Sequence, residues 1–218
     1  MSLIVLEGLD GSGKTTQLPL LEALLAQKGP VKTISFPDYR SPSSALVKMY
    51  LAGAFGSAPG DVNPYAAGAF YAVDRYASYQ TSWRREYEAG VTILAARYVT
   101  SNQIYQMEKL PPCQWEEYIA WTEAFEYDRL GLPRPDQVIY LDMPVEASQR
   151  LLTRRYGGQE EKKDLHERDQ GFLERCAQCA GFAAQRLGWT VVPCAQGGEP
   201  LSVEEVHQKV AKALIAGK

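Results

Sequence analysis

Apolar residues gather in five short runs, each stopped by glycine, proline or a charge, and helical spacing fills the gaps between them. "SLIVLEG" (2–8) ends on Gly8, and the leucines of "KTTQLPLLEALLAQKG" then recur at helical intervals up to Gly29. "VKTISF" is a second strand broken by Pro37, and "PSSALVKMYLAG" a helix closed by Gly53. Residues 54–63 are rich in Gly, Pro and Asp and read as a loop. A long helix is expected over 64–90, with Pro64 in its first turn and Gly90 at its exit. "VTILA" (91–95) is the third strand, followed by helices near 101–109 and 114–130. "QVIYLD" is the fourth strand, "VEASQRLLTRRY" a helix, and "GGQEEKKD" a loop. A helix over about 165–187 leads to the last strand, "TVVPC". Ser202 and Glu205 then form a capping box for the final helix. Five strands alternating with helices predict an α/β fold, a five-stranded parallel sheet flanked by helices.

Composition narrows the class. The 218 residues suit one domain spanning 1–218, and 45% hydrophobic with 22% charged residues fits a globular protein. A net charge of −3 argues against a general nucleic-acid binder. No apolar run approaches 18 residues and no leader-like pattern opens the chain, so a cytoplasmic protein without a membrane partner is expected. Cys176 and Cys179 form a lone C-x-x-C inside a helical stretch, where packing is a better account than zinc.

"GLDGSGKT" (8–15) fits G-x-x-x-x-G-K-[ST] and lies between a strand and a helix, the context that a phosphate-binding loop requires. Its glycines Gly8, Gly11 and Gly13 let backbone N–H groups wrap phosphate oxygens, with Ser12 and Thr16 alongside. Lys14 reaches the β- and γ-phosphates of ATP, and the Thr15 hydroxyl suits Mg²⁺. The loop alone does not name the reaction. No guanine-reading N-K-x-D is present, and the chain is short for a motor ATPase. A phosphoryl transferase with a second substrate is the reading that remains.

The residues for that second substrate carry a resemblance. "FPDY" (36–39), "FYAVDR" (70–75), "ARYVTSNQIY" (96–105) and "KDLHERD" (163–169) resemble thymidylate kinases, closest to bacterial forms, in order and separation. The resemblance implies the P-loop NTPase fold, the reaction ATP + dTMP → ADP + dTDP with Mg²⁺, and a homodimer packed through long helices. It places Asp10 at the sugar 3′-hydroxyl and the metal, and Phe36, Pro37 and Tyr39 along the acceptor. It stacks Tyr71 on thymine and sets Arg75 at its O4. Tyr71 and Arg75 are four residues apart and share a helix face. Arg97, just past the third strand, is expected to hold the dTMP phosphate, at the sheet edge where α/β proteins bind ligands. Ser101 and Asn102 follow, Asn102 offering donor and acceptor to N3 and O4. The resemblance packs Tyr105 near C2′ and brings Glu167 close to Mg²⁺ and the sugar.

A kinase must exclude water. The segment 153–164, "TRRYGGQEEKKD", is the candidate lid. The phosphate loop has no arginine at its variable positions, so the transition-state cation is expected from Arg150, Arg154 or Arg155, with Arg154 favoured.

One position departs from the family. The resemblance expects Asp-Arg-Tyr at the tip of the third strand, and this chain has Ala96-Arg97-Tyr98. Two outcomes follow. Asp10, Thr15, phosphate oxygens and waters hold the ion unaided, or with Asp142 as a conceivable substitute. Otherwise catalysis loses about 2–4 kcal/mol and the chain acts as a weakened kinase or a nucleotide-binding module. A related pyrimidine nucleoside-monophosphate kinase, with dUMP as the nearer rival, is the third reading.

Overall fold

The computed structural model describes residues 2–56, 58–155 and 170–216. Most of the segment 153–164 and Glu167 lie outside them, as does the Arg154 side chain. The strands are β1 (Ser2–Gly8), β2 (Val31–Ser35), β3 (Thr92–Ala96), β4 (Gln137–Asp142) and β5 (Thr190–Pro193). They form one parallel sheet in the order β2-β3-β1-β4-β5.

The sheet is apolar on both faces because helices cover both. Alternation along β1 divides its side chains. Leu3 and Val5 join Ile93, Val138 and Tyr140 in a core with Tyr98, Tyr118, Phe172 and Cys176. Ile4 and Leu6 point the other way, to Leu94, Ile139, Leu21, Val206 and Val210. Burying each such aliphatic side chain contributes about 1.5–3 kcal/mol. The helices of the first face are α3 (Pro64–Ser78), α5 (Val99–Tyr105), α6 (Trp115–Glu123) and α8 (Gln170–Leu187). Those of the second are α1 (Lys14–Ala26), α7 (Val145–Arg155) and α9 (Val203–Ala216). Among the described residues no helix is long and apolar enough to cross a membrane.

Three local features differ from the sequence expectation. The long helix over 64–90 is interrupted by a π-helical turn at Tyr79–Trp83 before α4 (Arg84–Glu88), and a second π-helical turn, Ala124–Arg129, follows α6. Such turns insert one extra residue and re-aim the side chains around them. A hairpin, β6 (Ala195–Gln196) with β7 (Glu199–Pro200), precedes α9. Its turn residues Gly197 and Gly198 have φ of 58° and 83°, which the Gly-Gly pair permits without strain. Other features follow the sequence. Asn63 caps α3 with Pro64 inside it, and Ser202 and Glu205 exchange the capping-box hydrogen bonds at α9. Cys176 and Cys179 are free and fully buried on α8, as the packing account requires.

Candidate active site

The chain leaves the sheet at the carboxyl ends of β1, β2 and β3 on one edge, and there the functional residues converge. After β1 the loop turns through Gly8, Gly11 and Gly13, whose φ values are 154°, 78° and 96°. A side chain at Gly11 would lie 2.7 Å from the Ser148 carbonyl of α7, so glycine is needed both for the turn and for the close approach. Lys14 opens α1 and folds back on the loop, donating to the Gly8 and Leu9 carbonyls at 2.7 and 2.9 Å. Burial, with Arg97 nearby, pulls its pKa down to about 8.

Arg97 directly follows β3 with φ 65°, the left-handed region that a non-glycine residue seldom occupies. That turn aims its guanidinium at Asp10, with which it forms a close ion pair. Its other face lies 3.6 Å from Glu7 and stands over the Tyr105 ring, 5.0 Å from the centroid. Burial opposes the charge on Arg97, but Asp10, Tyr105 and Glu7 outweigh it and hold the pKa well above its ordinary value. Tyr105 donates its hydroxyl to Asp10 at 3.2 Å.

Two cavities meet at this pair. The smaller, about 290 Å³, is lined by Phe36, Pro37 and Tyr39 after β2, by Tyr71 and Arg75 of α3, and by Ser101, Asn102 and Tyr105 of α5. The larger, about 490 Å³, is lined by Gly11, Ser12, Gly13, Lys14, Thr15 and Thr16 of the phosphate loop. Asp10, Ser35 and Arg97 line both. Of the predicted acceptor residues, all but Glu167 therefore share one cavity. Of the predicted phosphate residues, only Gly8 stays behind the wall, where a Cβ would collide with the Ser12 hydroxyl at 2.5 Å.

Sequence reasoning missed two buried acids. Glu126, on the π-helical turn after α6, holds Arg75 through Nε at 2.6 Å and Nη2 at 2.7 Å. Both side chains are within 1% of full burial. Burial works against the Arg75 charge, but Glu126 beside it raises its pKa. Glu126 also accepts from Asn102 Nδ2 at 2.9 Å, and the other Asn102 amide proton goes to the Gly68 carbonyl at 3.1 Å. Glu7, at the end of β1, accepts from the Gly8 N–H, the Thr100 hydroxyl and the Ser101 hydroxyl at 2.9, 2.7 and 2.7 Å. Ser101 thus serves Glu7 from within α5. Asp74 ties down the loop after β2, accepting from the Asp38 N–H at 2.8 Å and the Ser43 hydroxyl at 2.5 Å.

Ala96 lies opposite Leu6 and Ser35 in the sheet and lines the larger cavity. The carboxylate that orders the phosphate loop and steadies Arg97 comes from the neighbouring strand, as Glu7. Two other expectations are corrected. Asp142 is exposed and does not line the larger cavity; Met143 beside it does. Arg150 does not line the larger cavity; it donates to the Gly198 carbonyl at 2.8 Å and to Glu199 at 3.2 Å, bracing the hairpin.

Thr15 and Asp10 both line the larger cavity and offer hard oxygen donors, which suits Mg²⁺. No group of three or more metal-binding acids, histidines or cysteines occurs among the described residues. Two protein oxygens suit an ion that arrives with a nucleotide and keeps several waters.

A phosphate loop opening on one cavity, joined through an Arg–Asp pair to a second, defines a P-loop phosphoryl transferase with two substrate sites. The sequence profile of the thymidylate kinase family matches residues 6–210. A thymidylate kinase of Mycobacterium tuberculosis is 33% identical over 198 residues, covering 87% of this chain and 90% of that protein. One of Schizosaccharomyces pombe is 31% identical over 211 residues, covering 95% and 89%. The solved thymidylate kinase of Candida albicans superposes with a TM-score of 0.72 at 22% identity, covering 99% of this chain and 91% of that one, and so shares its fold. The chain belongs to the thymidylate kinase family.

Proposed function

We propose that this chain binds ATP in the larger cavity and dTMP in the smaller, and passes the γ-phosphoryl group between them beside Asp10 and Arg97. The observation that carries this reading is the wall shared by the two cavities, with the Arg97 guanidinium on it, where a donor and an acceptor phosphate would meet. Lys14 leaves the Gly8 and Leu9 carbonyls and moves to the β- and γ-phosphate oxygens. Arg97 holds the acceptor phosphate so that its oxygen faces the γ-phosphorus, and its fixed charge stabilises the negative charge on the transferring group. Asp10 and Thr15 would hold Mg²⁺, which supplies Lewis-acid stabilisation of the phosphate oxygens when bound. An apolar shelf of Leu151, Pro200, Leu201 and Val203 in the larger cavity suits adenine.

Base choice follows from Glu126. With both amide protons of Asn102 engaged, its Oδ1 remains to accept, which matches the N3–H of thymine. With Nε and Nη2 of Arg75 held, Nη1 remains to donate, which matches O4. Cytosine presents the opposite polarity at both positions and would leave both groups unpaired.

The comparisons lend no support to an impaired binding module, so Ala96 is read as compatible with turnover. ADP release with ATP, Mg²⁺ and dTMP is expected from this protein. Ala96→Asp should alter the rate by less than about tenfold, because Glu7 and Asp10 already order the site. A gain of a hundredfold would make Ala96 a disabling residue, and no product from either form would remove the kinase reading.

A homodimer is proposed from the surface. Leu46, Met49, Phe55, Val73 and Tyr76 are all about 40% exposed and lie on α2 (Ala45–Leu51), α3 and the loop between. Light scattering at micromolar concentration should give twice the protomer mass; the single mass would defeat this proposal. We place the enzyme in the cytoplasm, in keeping with four cysteines that are all unpaired.

A further inference from the structure

The wall of the smaller cavity that carries Leu51 and Tyr71 belongs to a small apolar cluster on α2, α3 and the loop between them. Tyr50, Val62 and Ala67 are its buried members, with Leu51, Phe70 and Tyr71 packed against them. The Tyr50 ring meets Tyr71 edge-on at 6.4 Å and Phe70 at 6.5 Å. Tyr71 is the ring on which a base would stack, so the place of Tyr50 sets the place of that platform.

Lys109 ties this cluster to the elements that carry the other acceptor residues. It ends the 3₁₀ turn Met107–Lys109, which follows α5. Met107 is buried in the core of the first face, and Glu108 pairs with Arg175 of α8 at 2.8 Å, so the turn is anchored. From there the Lys109 ammonium donates to the Tyr50 hydroxyl at 2.9 Å and to the Val62 carbonyl at 3.1 Å. It also lies 5.0 Å from the centroid of the Tyr50 ring. The ammonium thus holds α2 through Tyr50 and the entry to α3 through Val62. The titratable and charged groups that face it are Tyr50, Glu108 and Cys176 of α8, with Arg175 on the far side of Glu108. Burial pulls the Lys109 pKa down to about 8 against the opposing charge of Glu108. Burial also pushes the Tyr50 hydroxyl up to about 12 and the Cys176 thiol well above its ordinary value, so both stay neutral while the lysine titrates.

We propose that Lys109 is a positioning residue for the acceptor base: its ammonium holds Tyr50 against Tyr71 and so fixes the stacking platform without touching the substrate. The inference rests on the dTMP kinase reading above. A charge-assisted hydrogen bond is stronger than a neutral one, so the tie is tight only while the amine is protonated. The protonated form is lost as pH rises through about 8, and the hold on dTMP weakens over the same interval.

The test measures KM and kcat for dTMP from about pH 7 to about pH 9 in the wild type, Lys109→Met, Tyr50→Phe and the double variant. At about pH 7, Lys109→Met should raise KM for dTMP about tenfold and leave kcat and KM for ATP within about twofold. The ratio of variant to wild-type KM should then fall towards one by about pH 9, where the wild-type amine is mostly neutral. Taking the ratio removes the titration of Lys14, which both proteins share. Tyr50→Phe should raise KM by a similar factor, and the double variant should lose no more than either single one. A ratio that stays constant across this pH range would overturn the proposal, as would a loss that falls on kcat or losses that add in the double variant. Should Lys109→Met fail to fold, the ratio of Tyr50→Phe to wild type over the same pH range decides in the same way. A wild type that does not phosphorylate dTMP would instead defeat the kinase reading itself.

Discussion

Replacing Arg97 with alanine is expected to reduce kcat/KM for dTMP by about a thousandfold, on the scale of losing one preorganised electrostatic donor. The side chain lies on the wall common to both cavities and is held by Asp10, Glu7 and the Tyr105 face, so nothing beside it can take its place. The residue already sits in the left-handed region, so alanine adds little new backbone strain, and the fold should survive. Arg97→Lys keeps the charge but loses the planar fork, and should still cost about a hundredfold. Initial rates over a dTMP series, with circular dichroism as the folding control, give the answer. A loss below about tenfold for the alanine variant would mean that the acceptor phosphate is held elsewhere.

Removing Glu126 should damage stability more than any other single change at the site. Glu126→Ala strands the Arg75 charge at 1% exposure, and breaking such a buried pair costs about 3–5 kcal/mol. Total stability of a domain is commonly only about 5–15 kcal/mol. The melting temperature should fall by about 10 °C. Glu126→Gln preserves the shape but releases the constraint on Asn102, whose amide can then turn over and present its N–H to the base. Preference for dTMP over dCMP should then drop about tenfold or more. Thermal unfolding of both variants and competition between the two monophosphates measure these effects. A Glu126→Ala protein melting within about 2 °C of wild type would show that Arg75 finds another partner. An unchanged preference in Glu126→Gln would show that Glu126 does not fix the polarity of the readout.

The strands and most helices were legible because each buried element repeats a pattern: short apolar runs ending on glycine or proline, and leucines at helical spacing. The phosphate loop was legible for a different reason. Its function needs backbone freedom at Gly11 and Gly13 and a cation at Lys14, all within eight residues, so the requirement is written locally. The acceptor residues were recognisable through short motifs on three segments, and the fold brings nine of them, with Asp10 of the phosphate loop, to one cavity. The π-helical turns left no such trace, since an extra residue in a helix changes neither composition nor spacing enough to show. The Gly197-Gly198 hairpin did carry a signal, two glycines between short runs, hidden by the brevity of its strands.

What the sequence determined by itself is the parallel α/β architecture, the phosphate loop and the chemical types available to an acceptor, because these depend on near neighbours along the chain. The partners of those groups were decided only by the tertiary structure. A buried Arg75 demands an acid, but 26 acidic residues were available and only packing selects Glu126, 51 positions away. Ala96 likewise looked like a missing carboxylate until the sheet placed Glu7, on the adjacent strand, against Arg97. Charge compensation and hydrogen-bond satisfaction act through space at a few ångströms, so they impose no fixed spacing on the sequence.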